Sequence, residues 1–342
     1  MTGVPYDVHA RAGDGWFVPA EEAPHQRTFM QWPVNRQVYG DRFFLDEVQR
    51  TIANIANAIV DFEPVTMLAD RAHHDHAAKL LSDAVTLLDI PTDDLWARDA
   101  GPIFAVHDDG RLVVLQIQFN GWGRKQVHAQ DSEIARRVAA HLDLPLLATG
   151  LHGEGGGVEH DGHGLLIAHE SSWVNDNRNP GLSRDVIEAR LLTAYGADEM
   201  IWSPGVWGQD ITDYHIDSLA RFSGPGRVLI NLPDQPDRRD PFHRAALETH
   251  DVLAAAGLDL EVIPEPLVGR VRDDDFVAAY VNYYVCNGAV LAAQFGDRET
   301  DAIAQDALAR HYPGRQIIML NVDRLGELGG GIHCATQQMP AI

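Results

Sequence analysis

Three short stretches of the sequence carry residue types that can act on a substrate. In the first, Trp96-Ala-Arg-Asp-Ala-Gly-Pro102, an aromatic ring, a guanidinium and a carboxylate precede a Gly-Pro break, which predicts a loop or a strand edge. Asp99 can accept paired N–H bonds from a planar cation, and the face of Trp96 attracts positive charge. The competing interpretation is that Asp99 pairs with Arg98 or caps a turn.

The second stretch, Asp210-Ile-Thr-Asp-Tyr-His-Ile-Asp217, places a histidine two residues before an aspartate. If the segment is extended, His215 and Asp217 point to the same face, which makes His215 a candidate acid/base group. Two alternatives stay open: Asp213, His215 and Asp217 could bind a divalent metal, or the segment is a solvated turn. The sequence contains no second acidic motif that would complete a two-metal site, which disfavours the metal.

The third stretch, Leu328-Gly-Gly-Gly-Ile-His-Cys-Ala-Thr-Gln-Gln338, places a cysteine behind three glycines. Glycines let the backbone approach a ligand closely, and Cys334 among polar residues is a candidate reactive thiol. Cys286, the second of the two cysteines, lies in an apolar segment typical of an inert buried thiol, and two cysteines make no disulfide framework. The cluster His73-His-Asp-His76 has short metal-ligand spacing, but we interpret it as surface histidines because no partner cluster lies near it.

The charge of the chain restricts its partners. The 342 residues include 27 Lys+Arg and 50 Asp+Glu, a net charge of −23, which disfavours nucleic acid and anionic membranes and favours a small cation. The start, Met1-Thr-Gly-Val-Pro-Tyr-Asp7, lacks the basic and apolar regions of a secretory signal, so a cytoplasmic location is expected. The uncharged stretch 276–295 has the length of a membrane span, but Asn287-Gly288 within it predicts a hairpin of two buried strands.

The apolar pattern predicts a modular α/β protein with mixed sheets, in which hairpins, helices and strands alternate. Helical periodicity and short β-branched runs give helices at 44–62, 132–142 and 301–312, strands at 65–68, 85–90, 113–119, 228–232, 260–263 and 316–322, and hairpins joining 103–106 to 112–119 and 157–159 to 165–169. No Pro- or Ser-rich linker divides the chain, so residues 1–342 are expected to form one domain. Similar glycine clusters at 153–160 and 326–334 are consistent with repeated modules.

Taken together, these stretches resemble the agmatine deiminase and bacterial-type peptidylarginine deiminase family of the guanidine-modifying enzyme superfamily. The resemblance extends over nearly the whole chain, through Pro19-Ala-Glu-Glu-Ala-Pro-His-Gln-Arg27, Met30-Gln-Trp-Pro33, the stretch 96–102, Phe119-Asn-Gly-Trp-Gly123, Glu154-Gly-Gly156, Asn177-Arg-Asn-Pro180, 212–217, Tyr280-Val-Asn-Tyr283, Gln294-Phe-Gly-Asp297 and 329–338. It implies a five-fold pseudosymmetric α/β propeller of the pentein type, one catalytic domain built from repeated mixed-sheet modules around a central active site. It also suggests a homodimer or larger assembly.

The resemblance also implies a role for each residue of the site. Cys334 would attack the guanidinium carbon of the substrate as a thiolate, and His215 would protonate the departing nitrogen and then deprotonate water. Asp99 and Asp217 would clamp the guanidinium, Glu154 would orient His215 and the substrate, and Trp96 would wall the pocket. The implied reaction converts agmatine and water to N-carbamoylputrescine and ammonia through a covalent thiouronium intermediate, with no metal and no organic cofactor.

Departures from the family pattern concern the substrate. Tyr214 stands where glycine is common and Ser218 where asparagine is common, and Trp96-Ala-Arg-Asp-Ala replaces Trp-Met-Arg-Asp-Thr. A tyrosine beside His215 would take volume from the pocket or add a hydroxyl to it, which makes Tyr214 a candidate substrate contact. The alternatives are therefore a deiminase of free or peptidyl arginine or another alkylguanidine, and more remotely a metal-dependent ureohydrolase or a non-catalytic protein that binds a cation.

Overall fold

The structure is a computed structural model that describes residues 15–271, 273 and 276–342. The amino-terminal segment on which the cytoplasmic expectation was based lies outside the described residues. The strands are β1 (Trp16–Phe17), β2 (His25–Gln31), β3 (Val65–Ala69), β4 (Thr86–Asp89), β5 (Ile103–His107), β6 (Leu112–Gln118), β7 (Leu146–His152), β8 (Val158–His160), β9 (Leu165–His169), β10 (Glu199–Ser203), β11 (Ala220–Gly224), β12 (Arg227–Leu232), β13 (Asp259–Pro264), β14 (Tyr284–Cys286), β15 (Ala289–Ala293), β16 (Gln316–Leu320) and β17 (Gln337–Pro340).

The helices of the described residues include five of eight or more residues and several single turns. They are α1 (Arg42–Ile59), α2 (His74–Ala77), α3 (Ala97–Ala100), α4 (Gly121–Arg124), α5 (Ile134–His141), α6 (Glu170–Trp173), α7 (Arg184–Tyr195), α8 (Pro241–Ala255), α9 (Arg298–His311) and α10 (Asp323–Gly326), with 3-10 turns at Arg71–His73, Asp131–Glu133, Gly155–Gly157 and Ile216–Ser218. None of the helices in the described ranges is long and apolar enough to cross a membrane.

The described strands form five mixed sheets that repeat one order of elements. In each, an antiparallel pair of strands is followed by a helix and then by a strand parallel to the second member of the pair. Strands β5 and β6, helix α5 and strand β7 form one such module, and α7, α8 and α9 make the same crossing after β9, β12 and β15. The fifth module joins distant parts of the chain, because β17 pairs antiparallel with β2, which α1 then connects to β3. The five repeated mixed sheets confirm the predicted propeller class.

Helix α1 shows why these segments become helices. Its first turn is capped by the carboxylate of Asp41, which accepts a hydrogen bond from the backbone N–H of Phe44 at 2.7 Å. Its apolar residues recur every three or four positions, so they bury one stripe against the core: Leu45, Val48, Ile52, Ile55 and Ile59. The predicted helix at 44–62 therefore exists, but it ends three residues earlier.

The hairpin predicted within 276–295 is also present. Strands β14 and β15 are antiparallel and buried, and Cys286 pairs with Ala289 across the turn. Gly288 has φ of 82°, a left-handed conformation that glycine adopts without a steric penalty. The segment is thus a buried hairpin of the fourth sheet.

Candidate active site

The chain places its candidate residues at equivalent points of the five modules. Each lies in the turn or loop just before the first strand of the antiparallel pair, so the five-fold repeat brings five different turns together. The residues, in module order, are Asp99 before β5, Glu154 before β8, Asp217 before β11, Asn282 before β14 and Cys334 before β17. Asn282 was not singled out as a site residue from the sequence, although it lies within the family-like stretch Tyr280-Val-Asn-Tyr283.

Cys334 is held between a carboxylate and an amide. Its Sγ lies 3.3 Å from Oδ2 of Asp217, and the side-chain amide of Asn282 donates to Sγ at 3.1 Å. The backbone N–H of Cys334 donates to Oδ1 of Asn282 at 3.3 Å, which fixes the turn. Burial, together with the negative charges of Asp217 and Asp99, raises the pKa of the thiol well above its usual range. Without a bound cation, the thiol form is therefore favoured.

The glycines before Cys334 make this close approach feasible. A Cβ added at Gly331 would lie 2.5 Å from Oδ1 of Asn282, and one at Gly330 would lie 2.5 Å from the ring of Trp96. Trp96 is itself buried and borders the glycine turn. Any larger residue at Gly330 or Gly331 would push the turn away from its neighbours.

His215 is surrounded by carboxylates. The 3-10 turn Ile216–Ser218 follows it, so the prediction that His215 and Asp217 alternate along a strand is wrong, because the chain turns at once after His215. Its Nε2 lies 3.1 Å from Oε2 of Glu154, and its Nδ1 lies 3.7 Å from Oδ1 of Asp99. Burial alone would lower the pKa of His215, but Asp99, Glu154 and Asp217 outweigh it and raise the pKa to about 9. His215 is therefore an imidazolium at neutral pH.

The two carboxylates expected to clamp a guanidinium have different partners. Asp99 accepts hydrogen bonds from Nε1 of Trp122 at 2.9 Å and from the backbone N–H of Gly156 at 3.1 Å, and burial raises its pKa to about 6. The alternative pairing of Asp99 with Arg98 does not occur, because Arg98 donates to Glu21 at 3.0 Å instead.

Asp217 is fully buried beside two histidines. Its Oδ2 lies 2.8 Å from Nδ1 of His333. Burial would raise the pKa of Asp217, but His333 and His215 outweigh that effect and hold the pKa at about 2. Ser218 lies within reach of the other oxygen, with its Oγ 3.4 Å from Oδ1 of Asp217. Asp217 is thus ionised throughout the physiological range.

Glu154 is fixed from behind by a buried arginine. Nε of Arg178 lies 2.9 and 2.8 Å from the two oxygens of Glu154, while Nη1 donates to Asp213 at 2.7 Å. Despite burial, Arg178 and His215 lower the pKa of Glu154. Asp213 also accepts from Nζ of Lys125 at 2.7 Å, so its carboxylate neutralises cations instead of joining His215 and Asp217 as a third ligand. Among the described residues, no cluster of three or more His, Cys, Asp or Glu has the arrangement of a metal site.

The structure does not bring Tyr214 to this group. Its backbone adopts φ of 67°, and its ring stacks on His169 with centroids 4.8 Å apart and meets Phe242 edge-on at 5.2 Å. The ring therefore packs into the hydrophobic cluster beneath β11 and β12. Because its ring contacts His169 and Phe242, Tyr214 is not included in the site proposed below.

Gly156 marks the point on which the acidic and basic groups converge. A Cβ added there would lie 2.8 Å from Oδ1 of Asp99, 2.9 Å from Nδ1 of His215 and 3.0 Å from Oδ2 of Asp217. A planar cation bound beside this point can donate N–H bonds to both carboxylates and expose its central carbon to Cys334, whose Sγ contacts the same oxygen of Asp217. The geometry fits covalent attack on a small cation.

Beyond Asn282, sequence reasoning did not assign roles to Trp122, Arg178 and His333. All three lie in stretches that carry the family resemblance, namely 119–123, 177–180 and 329–338. Their contacts with Asp99, Glu154 and Asp217 depend on the fold, because the partners are 23, 24 and 116 residues apart in sequence.

The chain is similar over most of its length to several known proteins. A Streptomyces coelicolor protein named "putative agmatine deiminase" is 35% identical, over 94% of this chain and 98% of that protein. A Selenomonas ruminantium protein of the same name is 33% identical, over 96% of this chain and 97% of that protein. Among solved structures, agmatine deiminase of Enterococcus faecalis superposes with a TM-score of 0.87 at 25% identity, covering 97% of this chain and 98% of that one.

The family model of the Porphyromonas-type peptidyl-arginine deiminases matches residues 17–340, which include every residue of the site and all five modules except the first residue of β1. This match and the identity to the two relatives over nearly their full lengths lead to one conclusion: the chain belongs to the Porphyromonas-type peptidyl-arginine deiminase family.

Proposed function

We propose that the protein is a cysteine-dependent hydrolase that converts agmatine and water to N-carbamoylputrescine and ammonia. The observation that carries the proposal is the convergence of a thiol, an imidazolium and two carboxylates on one buried point beside Gly156. The names of the relatives, which refer to agmatine deiminase, support the choice of substrate.

Binding would use charge and shape together. Asp99 and Asp217 accept N–H bonds from the guanidinium, and charge-assisted bonds of this kind each contribute about 1.5–3 kcal/mol. Their other contacts, to Trp122 and Gly156 for Asp99 and to His333 for Asp217, hold the carboxylates in place before the substrate arrives. Little reorganisation is then needed on binding.

In the first half of the reaction, the thiolate of Cys334 attacks the guanidinium carbon and forms a neutral tetrahedral adduct. The His215 imidazolium then donates its proton to one nitrogen, the C–N bond breaks, and ammonia leaves. The product is a thiouronium cation bonded to Sγ. Because its pKa is about 9, His215 carries the required proton at neutral pH.

In the second half, neutral His215 removes a proton from water as the water oxygen bonds to the same carbon. The adduct collapses, the C–S bond breaks, and the ureido product leaves with a carbonyl group. The hydroxyl proton of the adduct is released to solvent, where it is taken up by the ammonia from the first half to give ammonium. Glu154 holds Nε2 of His215 throughout, so the ring keeps Nδ1 directed toward the reacting atoms.

The geometry favours a small guanidine without a carboxylate. Cys334 has only 7% of its surface exposed, which suits a free metabolite better than an arginine within a peptide chain. Free arginine would bring its own carboxylate toward a site that already holds Asp99, Glu154 and Asp217, and like charges repel each other. Agmatine has an amine end and avoids that repulsion.

The test is product analysis with a matched pair of cysteine variants. We expect wild-type protein to release ammonia from agmatine with a larger kcat/KM than from arginine or a blocked arginyl peptide. Cys334→Ala should lose at least about a thousandfold in kcat, since nucleophile removal has effects of this order. Cys286→Ala should retain activity, because Cys286 lies in β14 with its thiol buried in the core.

Three results would contradict this assignment. Full turnover by Cys334→Ala would exclude covalent catalysis on that thiol. Urea as product, with activity lost to a chelator, would point to a metal-dependent ureohydrolase instead. Tight binding of agmatine without any turnover would indicate a protein that only binds the cation.

We further propose that residues 1–342 act as one catalytic domain, in the cytoplasm, and as a homodimer. The pairing of β17 with β2 supports a single domain, since it closes the last module onto the first strands. Light scattering of the purified protein would test the dimer, and fractionation of cells that express it would test its location.

A further inference from the structure

Cys334 must lose a proton before it can attack, and His215, the general acid of the site, cannot take it. His215 is already protonated at neutral pH, because its pKa is about 9. Asp217 contacts the thiol, and its low pKa depends on the hydrogen bond and charge that a protonated His333 supplies. An ionised Asp217 and a protonated His333 are thus a stable pair once the thiol has lost its proton.

The contacts of the thiol continue past Asp217 to a second imidazole. Sγ of Cys334 lies 3.3 Å from Oδ2 of Asp217, and the same oxygen lies 2.8 Å from Nδ1 of His333. On the other side of the ring, Nε2 of His333 lies 3.0 Å from Oε2 of Glu21. The imidazole is thus held between two carboxylates, only one of which contacts the thiol.

We propose that His333 holds the proton that Cys334 releases when a cationic substrate binds, receiving it through Asp217. This inference rests on the proposed function. Before binding, the neutral ring carries one proton on Nε2 and donates it to Glu21. Nδ1 then faces Oδ2 of Asp217 without a proton of its own, and the S–H group of Cys334 donates to that oxygen instead. The S–H bond breaks, the proton passes through Oδ2 of Asp217, and an N–H bond forms at Nδ1. The result is a thiolate and an imidazolium, with no net gain or loss of protons.

The surroundings of His333 suit this exchange. A neutral ring has one N–H and can donate to only one of its two carboxylates, whereas the imidazolium donates to both. Burial, with Arg221 and Arg98 nearby, lowers the pKa of His333, so the ring is neutral and able to accept before substrate arrives. The charged and titratable groups that face the ring from neighbouring elements are Glu21, Arg98, Glu159, His160, Asp217, Arg221 and Cys334.

The two arginines share the carboxylate of Glu21 with the ring of His333. Arg98 donates to Glu21 at 3.0 Å, and Arg221 lies 3.1 Å from Glu21 and also contacts Glu159. A bound guanidinium next to Cys334 would stabilise the thiolate beside it more than it opposes the imidazolium behind Asp217, because attraction and repulsion both weaken with distance. Substrate binding would then drive the transfer.

A polar cavity lies behind His333 and can solvate the charge. It has about 30 Å³ of space for water, and one water needs about 10–15 Å³ on this measure, so it holds about two. Its lining includes Glu21, Glu159, Gln337 and Gln338, and within the described ranges Oε1 of each glutamine has no hydrogen-bond partner. Water in the cavity would satisfy these acceptors and stabilise the imidazolium.

The test compares the pH profiles of wild-type protein and His333→Asn. Asparagine can donate to Asp217 from a position near that of Nδ1, as the imidazolium does, but it cannot take up a proton. Glu21 keeps Arg98 and Arg221 as partners, so the fold is expected to survive. His333→Gln, whose amide reaches toward Glu21 instead, gives a second variant for the same measurement.

In wild-type protein the proton stays inside the enzyme, so kcat/KM for agmatine should be nearly flat between about pH 6.5 and 8.5, the interval between the pKa values of Asp99 and His215. In His333→Asn the proton must go to solvent, so kcat/KM should rise about tenfold per pH unit across the same interval. A merely structural role would lower kcat/KM by the same factor at every pH. Parallel profiles, or an unchanged variant, would overturn the proposal.

A second readout keeps this inference separate from the choice of substrate. 2-Chloroacetamidine carries an amidinium and alkylates thiols. Its rate of reaction with Cys334 therefore reports the ionisation of this thiol without turnover. The measurement uses a Cys286→Ala background, and mass spectrometry locates the adduct. The rate should be flat with pH in wild type and proportional to hydroxide concentration in His333→Asn. If wild type fails to turn over agmatine but shows these alkylation profiles, the proposed substrate is wrong and the role of His333 stands. Equal slopes in the two proteins would refute the role of His333 even if agmatine is the substrate.

Discussion

Replacing Gly156 with alanine tests the central claim about the site, that three functional groups converge on one point. The added methyl carbon would start 2.8 Å from Oδ1 of Asp99, 2.9 Å from Nδ1 of His215 and 3.0 Å from Oδ2 of Asp217. An ordinary contact is about 3.4 Å or more, so the three groups must each move by roughly half an ångström, or the methyl must occupy substrate space. A displacement of about 1 Å in a catalytic site can cost about a hundredfold in rate.

We therefore expect Gly156→Ala to lose about a hundredfold or more in kcat/KM for agmatine, equivalent to about 2.7 kcal/mol of transition-state stabilisation. The backbone of Gly156 does not have a positive φ, so alanine is conformationally acceptable there and the protein should fold. The assay is ammonia release, with thermal unfolding measured on the same preparation.

Gly155→Ala is the matched control. Its Cβ would lie 2.4 Å from the backbone oxygen of Arg98, which cannot move as easily as a side chain, so the main loss should be in stability. If Gly156→Ala keeps kcat/KM within about threefold of wild type, then Asp99, His215 and Asp217 do not define the reacting centre.

Two further predictions follow from charge. The raised pKa of His215 means that the folded protein binds this proton more tightly than the unfolded chain does, so the stabilisation is complete below about pH 6.5 and is lost as the pH rises through about 9. At about 1.36 kcal/mol per tenfold change in proton affinity, the loss is roughly 3 kcal/mol in the free energy of unfolding. Urea titrations at pH 6 and pH 9.5 should show this loss in wild-type protein and not in His215→Gln. Equal pH dependence of the two proteins would contradict the ion-pair description of His215. The net charge of −23 should also attract dicationic agmatine, over a distance that salt limits to about 10 Å at 0.1 M. The kcat/KM for agmatine should therefore fall as the sodium chloride concentration is raised. An unchanged kcat/KM would show that the acidic surface has no role in substrate capture.

The sequence was most informative where the signal is local. The helix at Arg42–Ile59 follows from apolar spacing and an aspartate cap, and the β14–β15 hairpin follows from Asn287-Gly288 between apolar runs. Strand ends agreed within one or two residues for most segments, such as Leu112–Gln118 against the predicted 113–119. These features depend on side chains close in sequence, so they can be read without knowing the fold.

The contacts of the site could not be derived in this way. The turn at Ile216–Ser218 replaced the expected strand. Tyr214 has a positive φ, and its ring packs against His169 and Phe242, which are distant in sequence. Likewise, nothing local to Arg98 indicates that Glu21, 77 residues away, is its partner. Family resemblance pointed to the right segments, but only the three-dimensional arrangement identifies which atoms meet.

The closing of β17 onto β2 has a consequence for how activity arises during folding. Gln337 pairs with Phe29 and Pro340 with His25, so the turn that carries Cys334 is fixed only when residues more than 300 positions apart have met. Closing so large a loop has an entropic cost and makes such pairings slow to form. A chain that has folded its middle modules but not this last pairing would already assemble the carboxylates and His215 and yet lack the thiol in place. Such an intermediate could capture the cation without cleaving it, so chemical competence would be the final property that the folding chain acquires.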